Sequence, residues 1–402
     1  MKKELCVFAM MCAATVFGVS IDIAPSGDGA AGEAVSVKIT VTDDDGGAAR
    51  GGTLKVTVGN EFGGKAAEES VEYTEPFAVT LEPEYPGFAL VKAVYTAGGA
   101  ETSAWKMVPQ GALQITPGTP EPADFREFWA EGLRELTKLG LDPKRDGNSI
   151  SFININDSRV YGYISIPEKP GKYPALLTIP GAGPGAGGPA EKQLADRAII
   201  MVLNVHPYEV EPTTAKERYD QLNADGFYMY HGMPDRDAYY FRRAILGITQ
   251  GVRYIEQLEQ WNGEDLVVWG SSQGGWMSLA TAALNPSVSA VAVNVPAGSD
   301  FLAYNRNGSP GWPFGDRART EAPENAEMVA YFDNVNFAPM ITCPALIVVG
   351  WKDSLCPPSA TYAVYNRLGG EKLMLDAPET AHEYITPHST ALSEWIEARL
   401  FN

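Results

Sequence analysis

Three features of the sequence predict an α/β protein, a mostly parallel sheet flanked by helices, with a small antiparallel β-domain ahead of it. The first is a change of texture near residue 120, from apolar–polar alternation at period two to continuous apolar runs separated by helical stretches. The second is size: 402 residues fit one small and one large domain better than a single core. The third is the pentapeptide Gly270-Ser271-Ser272-Gln273-Gly274, set between a buried strand and a helix.

Composition narrows what such a chain does. It carries 50 Asp and Glu against 31 Lys and Arg, a formal net charge of −19. That excess argues against binding nucleic acid or an anionic membrane surface. Hydrophobic residues at 45% and charged residues at 20% give the balance of a globular chain, not a disordered one. No apolar run approaches the ~20 residues of a spanning helix. Residues 1–20 read as a secretory signal: Lys2 and Lys3, an apolar stretch over residues 5–17, then the small residues Gly18-Val19-Ser20. A periplasmic or secreted protein is the expectation. Loss of the signal removes Cys6 and Cys12 and leaves Cys343 and Cys356. These flank one apolar strand, too far apart for a disulfide.

Residues 21–112 form the expected β-domain. Val35, Val37, Ile39 and Val41 alternate with polar residues, as do Leu54, Val56 and Val58, and clusters such as Asp43-Asp44-Asp45-Gly46-Gly47 and Gly98-Gly99 separate the runs. Short strands with glycine-rich turns predict an immunoglobulin-like β-sandwich. The stretch has no histidine and no cysteine, so its role reads as structural. Thr116-Pro117-Gly118-Thr119-Pro120-Glu121-Pro122 reads as a stiff linker.

The larger domain spans 113–402. A first helix is expected over 123–139, with Phe125, Phe128, Trp129, Leu133 and Leu136 on one stripe. Strands are expected at 160–166, 175–179, 199–205, 266–269, 291–295, 345–349 and 372–375, and helices at 237–259, 273–284, 359–368 and 387–400. Such sheets carry their chemistry at the carboxyl ends of the strands.

The pentapeptide fits the G-x-S-x-G pattern, which is common on its own. Here the strand Asp265-Leu266-Val267-Val268-Trp269 runs into it and the helix beginning Gly275-Trp276-Met277 leaves it. A strand-to-helix turn that tight exposes a strained serine, the nucleophile elbow of the α/β-hydrolase fold. Ser272 needs a base. Among the four histidines, His382 lies on a late loop before the final helix, where it can reach over the sheet edge. The acid falls between serine and histidine in this fold, and Asp353 does so on the loop after strand 345–349. Rivals read more plainly as structural: Asp376 and Glu379 as solvated loop acids, His206 as a strand-end residue that could face the cleft but more often bonds its neighbours, His231 as a surface or packing residue, and His388 as part of the last helix. The histidines lack metal-ligand spacing, so neither a metal nor a cofactor is expected.

An ester-cleaving serine also needs donors for the developing oxyanion. The N–H of Gln273 is one. The loop Pro180-Gly181-Ala182-Gly183-Pro184-Gly185 follows an early strand and offers the second, with Ala182 as the donor. A phosphate-binding reading of this loop is weak, because no Lys or Ser/Thr pair completes a P-loop. Tyr208 and the loop around Trp312 are candidates for stacking on a sugar ring; packing residues are the plainer reading.

The set resembles the acetyl xylan esterase and cephalosporin C deacetylase family, carbohydrate esterase family seven, from about residue 120 to the end. The likeness rests on Gly270-Ser271-Ser272-Gln273-Gly274-Gly275, on Asp353-Ser354-Leu355-Cys356-Pro357-Pro358-Ser359 (the most diagnostic) and on His382-Glu383. Pro122-Ala123-Asp124-Phe125-Arg126-Glu127-Phe128-Trp129 and Tyr239-Tyr240-Phe241-Arg242-Arg243 also fit. The resemblance implies Ser272 as nucleophile, Asp353 as orienting acid, His382 as base, and acetylated oligosaccharide or polysaccharide as substrate. Two departures bear on substrate choice. Where the family has Arg-Gly-Gln this chain reads Leu203-Asn204-Val205-His206-Pro207-Tyr208, and where it has His-Gly-Tyr this chain has Pro180-Gly181-Ala182. Compact members resemble ring-like hexamers, which makes a homo-oligomer the assembly to test. Two other readings stay open: an exported serine peptidase or an esterase for other acyl groups, and an inactive carbohydrate-binding homologue.

Overall fold

The computed structural model describes residues 18–29, 33–61, 64–82, 85–188, 192–211 and 213–401. The expected signal lies outside the described residues except for its last three. The chain divides into two compact units, between Gln114 and Ile115.

In the first unit, β1 (Val19–Pro25), β2 (Val35–Asp43) and β5 (Phe77–Leu81) form one antiparallel sheet. A second contains β3 (Gly52–Asn60), β4 (Lys65–Tyr73), β6 (Gly87–Ala97) and β7 (Ala100–Gln110), in the order β4-β3-β6-β7. Period-two alternation gives each sheet one apolar face, and the two faces share a core that includes Val37, Ile39, Val41, Leu54, Val56, Val91 and Ala93. Tyr73 crosses that core: from β4 its hydroxyl accepts the N–H of Val41 in β2 at 2.8 Å.

The second unit opens with a segment that corrects the linker expectation. Thr119 is buried, the N–H groups of Gly118 and Thr119 donate to Asp300 Oδ1 at 2.8 and 3.0 Å, and a Cβ at Gly118 would lie 2.3 Å from the Leu302 carbonyl oxygen. The proline-rich composition stiffens this stretch, and its two small residues let it dock on a buried carboxylate. Asp300 also receives Arg306 Nε at 2.7 Å. Burial and the charge of Asp300 push the neighbouring Asp333 carboxyl up to about 7.

After this come α1 (Phe125–Leu139), β8 (Lys144–Asp146), β9 (Ser149–Asn154), β10 (Ser158–Ser165), β11 (Tyr173–Ile179), β12 (Ile199–Leu203), α2 (Ala215–Leu222) and α3 (Tyr240–Ile255). The remaining elements are β13 (Trp261–Ser271), α4 (Gln273–Leu284), β14 (Ala290–Asn294), α5 (Pro323–Ala330), α6 (Asn334–Phe337), β15 (Ala345–Gly350), α7 (Pro358–Arg367), β16 (Lys372–Ala377) and α8 (Ser389–Phe401). The sheet order is β16-β15-β14-β13-β11-β12-β10-β9-β8; β11 to β16 run parallel, and β10, β9 and β8 add an antiparallel edge. Continuous apolar runs make fully buried strands such as β14 and β15. Helix α4 is buried at every position, as an element apolar on all sides must be. The expected helix over 237–259 shortens to α3, and the last helix begins at Ser389, which leaves His388 just outside it.

Register is what builds the site. Ile179 pairs with Gly270, Ser271 with Asn294, Asn294 with Val348, and Gly350 with Ala377. The strands therefore end together, and the loops that follow them leave from one edge.

Candidate active site

Ser272 sits between β13 and α4 with φ 56° and ψ −121°, a left-handed conformation that β-carbon sterics disfavour. The flanking glycines make it attainable. A Cβ on Gly270 would come within 2.4 Å of the Gly274 backbone, and one on Gly274 within 2.0 Å of the Ile179 carbonyl oxygen. No residue with a side chain fits either position. Ser272 N–H donates to the Asn294 carbonyl at 2.9 Å, which ties the turn to β14.

The structure brings the three sequence-predicted groups together. Asp353, buried on the loop after β15, accepts the N–H groups of Leu355 and Cys356 on Oδ1, both at 2.8 Å, and faces His382 Nδ1 with Oδ2 at 2.7 Å. His382 Nε2 lies 2.8 Å from Ser272 Oγ. A carboxylate only accepts, so Nδ1 carries the hydrogen and Nε2 is left to accept from the serine hydroxyl. The His382 loop is held from two sides. Thr380 accepts the N–H of Lys352 at 2.9 Å, and Asn294 Nδ2 bonds both Ser271 Oγ at 3.0 Å and the Glu383 carbonyl at 2.9 Å. Asn294 was not singled out from sequence; its one signal is being polar at the carboxyl end of an otherwise apolar strand.

The rivals are engaged elsewhere. Asp376 Oδ1 accepts from Trp351 Nε1 and the Tyr362 hydroxyl, and Glu379 pairs with Lys352. His231 bonds the Gly226 carbonyl and His388 that of Asp376.

Of the expected oxyanion donors, Gln273 opens α4, where first-turn N–H groups have no acceptor within the helix. Gly181 lies against the serine: a Cβ there would stand 3.8 Å from Ser272 Cβ, and Ala182 follows it, exposed. Gln273 also uses its side chain, whose Oε1 accepts from the buried Tyr228 hydroxyl.

The two residues expected to contact sugar sit in different surroundings. Tyr208 is only 8% exposed and stacks on His206, with ring centroids 5.3 Å apart and planes at 14°; its hydroxyl donates to the Pro184 carbonyl. It is therefore a packing residue, since its ring is buried against a second ring. Trp312 is half-buried, and its N–H donates to the Leu355 carbonyl at 2.8 Å, which sets it beside the Asp353 loop.

Among the described residues, Asp353, Cys356 and His382 are close enough to share an ion. Their chemistry does not favour one. Both imidazole nitrogens and both Asp353 oxygens already hold hydrogen bonds, and burial pushes the Cys356 thiol well up, which keeps it protonated.

A parallel sheet with a strained serine at a strand-to-helix turn, and loops converging at one edge, defines an α/β-hydrolase. Two solved structures share the fold. Acetyl xylan esterase 1 from Thermoanaerobacterium sp. JW/SL YS485 aligns with a TM-score of 0.60 at 22% identity, over 72% of this chain and 97% of that one. An acetyl xylan esterase from Paenibacillus sp. R4 gives 0.58 at 21%, over 71% and 98%. Acetyl esterase Axe7A of Xylanibacter ruminicola is 32% identical over 303 residues, 71% of this chain and 69% of that protein. Residues 113–399 match the acetyl xylan esterase (AXE1) family. The chain belongs to that family and is a serine carboxylic-ester hydrolase.

Proposed function

We propose that the protein removes acetyl groups from acetylated xylan or xylo-oligosaccharides by way of an acetyl-enzyme. Ser272 Oγ attacks the acetyl carbonyl while His382 Nε2 takes its proton, then returns it to the sugar alkoxide as that leaves. Asp353 keeps the imidazole in the productive tautomer and stabilises its charge, and the N–H groups of Gln273 and Ala182 receive the oxyanion. Water activated by His382 then releases acetate and restores the serine. None of these steps calls for a cofactor. The observation that carries this reading is the unbroken run Asp353–His382–Ser272, with contacts of 2.7 and 2.8 Å ending on a strained serine. The name of the Xylanibacter relative supports acetyl as the acyl group.

The same reading takes residues 1–20 as a removed export signal, 21–112 as an immunoglobulin-like domain and 113–402 as the catalytic domain, with Trp312 against the sugar. N-terminal sequencing of exported protein tests the first of these. Initial rates on acetylated xylan, p-nitrophenyl acetate, longer p-nitrophenyl esters and peptide anilides test the reaction. Acetyl esters are expected to lead; activity confined to anilides would favour a peptidase, and activity confined to longer acyl chains an esterase of another class.

A further inference from the structure

The loop proposed to supply the second oxyanion donor, Gly181-Ala182-Gly183-Pro184-Gly185, is rich in glycine and reaches solvent at Ala182. Left alone, such a segment samples many conformations. Three side chains from the six residues at and beyond the end of β12 restrain it. His206, 1% exposed, directs Nε2 to the Gly183 carbonyl at 2.8 Å and Nδ1 to the Tyr240 hydroxyl at 2.7 Å. Tyr208 lies flat on the His206 ring and donates to the next carbonyl, that of Pro184, at 3.1 Å. Asn204, fully buried, brackets Ala186: Oδ1 accepts its N–H at 2.7 Å and Nδ2 donates to its carbonyl at 3.1 Å.

We propose that His206 is a positioning residue for the oxyanion hole, its Nε2–H holding the Gly183 carbonyl so that the neighbouring Ala182 N–H stays aimed at the site of the developing charge. The carbonyl only accepts, so Nε2 carries the hydrogen and Nδ1 accepts from Tyr240. Burial pushes the imidazole down to about 4, so this hydrogen-bonding pattern persists at neutral pH. Preorganised donors act on the transition state rather than on bound substrate. Loosening them therefore lowers kcat and leaves KM nearly unchanged. The inference rests on the reading of Ser272 and Ala182 given above.

The experiment compares His206→Phe, which keeps a ring but loses both hydrogen bonds, with His206→Gln, which keeps a donor of similar reach. Rates on p-nitrophenyl acetate are taken per active site, titrated to completion with a fluorophosphonate, so that misfolded protein does not count. His206→Phe is expected to lose about 10- to 100-fold in kcat, the scale of a small misplacement of a catalytic group, with KM within about two-fold; His206→Gln is expected to recover most of that loss. Full kcat per site in His206→Phe, or equal loss in both variants, overturns the proposal. Should His206→Phe fail to fold, Tyr208→Phe removes only the hydroxyl bond to Pro184; a smaller fall in kcat at constant KM supports the same clamp, and no fall contradicts it. Ser272→Ala is measured alongside. Retained activity there would refute the nucleophile reading, an outcome separate from failure of the clamp.

Discussion

The strand-to-helix turn at Ser272 and the loop proposed to supply the second oxyanion donor lie against each other at one sheet edge and are held by opposite means. In the turn the backbone itself leaves no room: Gly270 and Gly274 touch neighbouring main chain, and Ser272 takes the conformation that remains. In the loop, Gly183 has nothing within 4 Å of an added Cβ, and order comes from side chains 20 or so positions further along the sequence, His206, Tyr208 and Asn204. One half of the site is set by local crowding and the other by tertiary hydrogen bonds. Substitutions in the two halves should therefore differ in kind.

The largest effect expected is at the acid. Asp353→Asn removes the acceptor that fixes the His382 tautomer and is expected to lower kcat about 10⁴-fold while the fold persists, as circular dichroism and steady-state rates would register. A loss below ten-fold would mean that another group orients the imidazole. Next comes the turn at Ser272. Gly274→Ala drives a Cβ into the Ile179 carbonyl and is expected to destabilise the protein by about 3 kcal/mol or more, read from the urea midpoint.

The clamp has a pH signature. His206 is held at about 4 when folded and returns to an ordinary value near 6.5 when unfolded. Between those values the unfolded chain binds a proton that the folded protein refuses, so stability rises with pH across the window and falls as pH drops through it. The full difference is on the order of 3 kcal/mol. Urea midpoints of His206→Gln from pH 4 to 7 should show a flatter slope than wild type; parallel slopes would contradict the buried, neutral imidazole. Asn294→Ala, which frees the His382 loop from the end of β14, is expected to lower kcat about ten-fold. The smaller of the two glycine penalties belongs to the open loop: Gly183→Ala meets no neighbour and carries only the strain of φ 143°, on the order of 1–3 kcal/mol. Equal penalties at Gly183 and Gly274 would erase the contrast.

The same contrast governs what could be read in the sequence. Ser272, Asp353 and His382 were legible because each follows a strand of the parallel sheet, and such a sheet gathers its strand ends at one edge. The clamp was not. Tyr208 read as a sugar-stacking candidate or, more plainly, as packing, and His206 as a strand-end histidine bonded to its neighbours; nothing local reveals that those neighbours are Gly183 and Pro184. The stretch from Thr116 to Pro122 failed for a related reason. Proline content reports stiffness, whereas its docking depends on Asp300, remote in sequence. Local backbone chemistry can be read from neighbours, but a hydrogen bond across the fold needs both partners in view.

The most direct test of the account is acetate release from acetylated xylan, measured side by side for wild type and Ser272→Ala. Release by wild type that falls by about four orders of magnitude or more in the variant is the expected result. Release that survives the substitution would contradict it, as would an enzyme silent on xylan whose p-nitrophenyl acetate activity does not depend on Ser272.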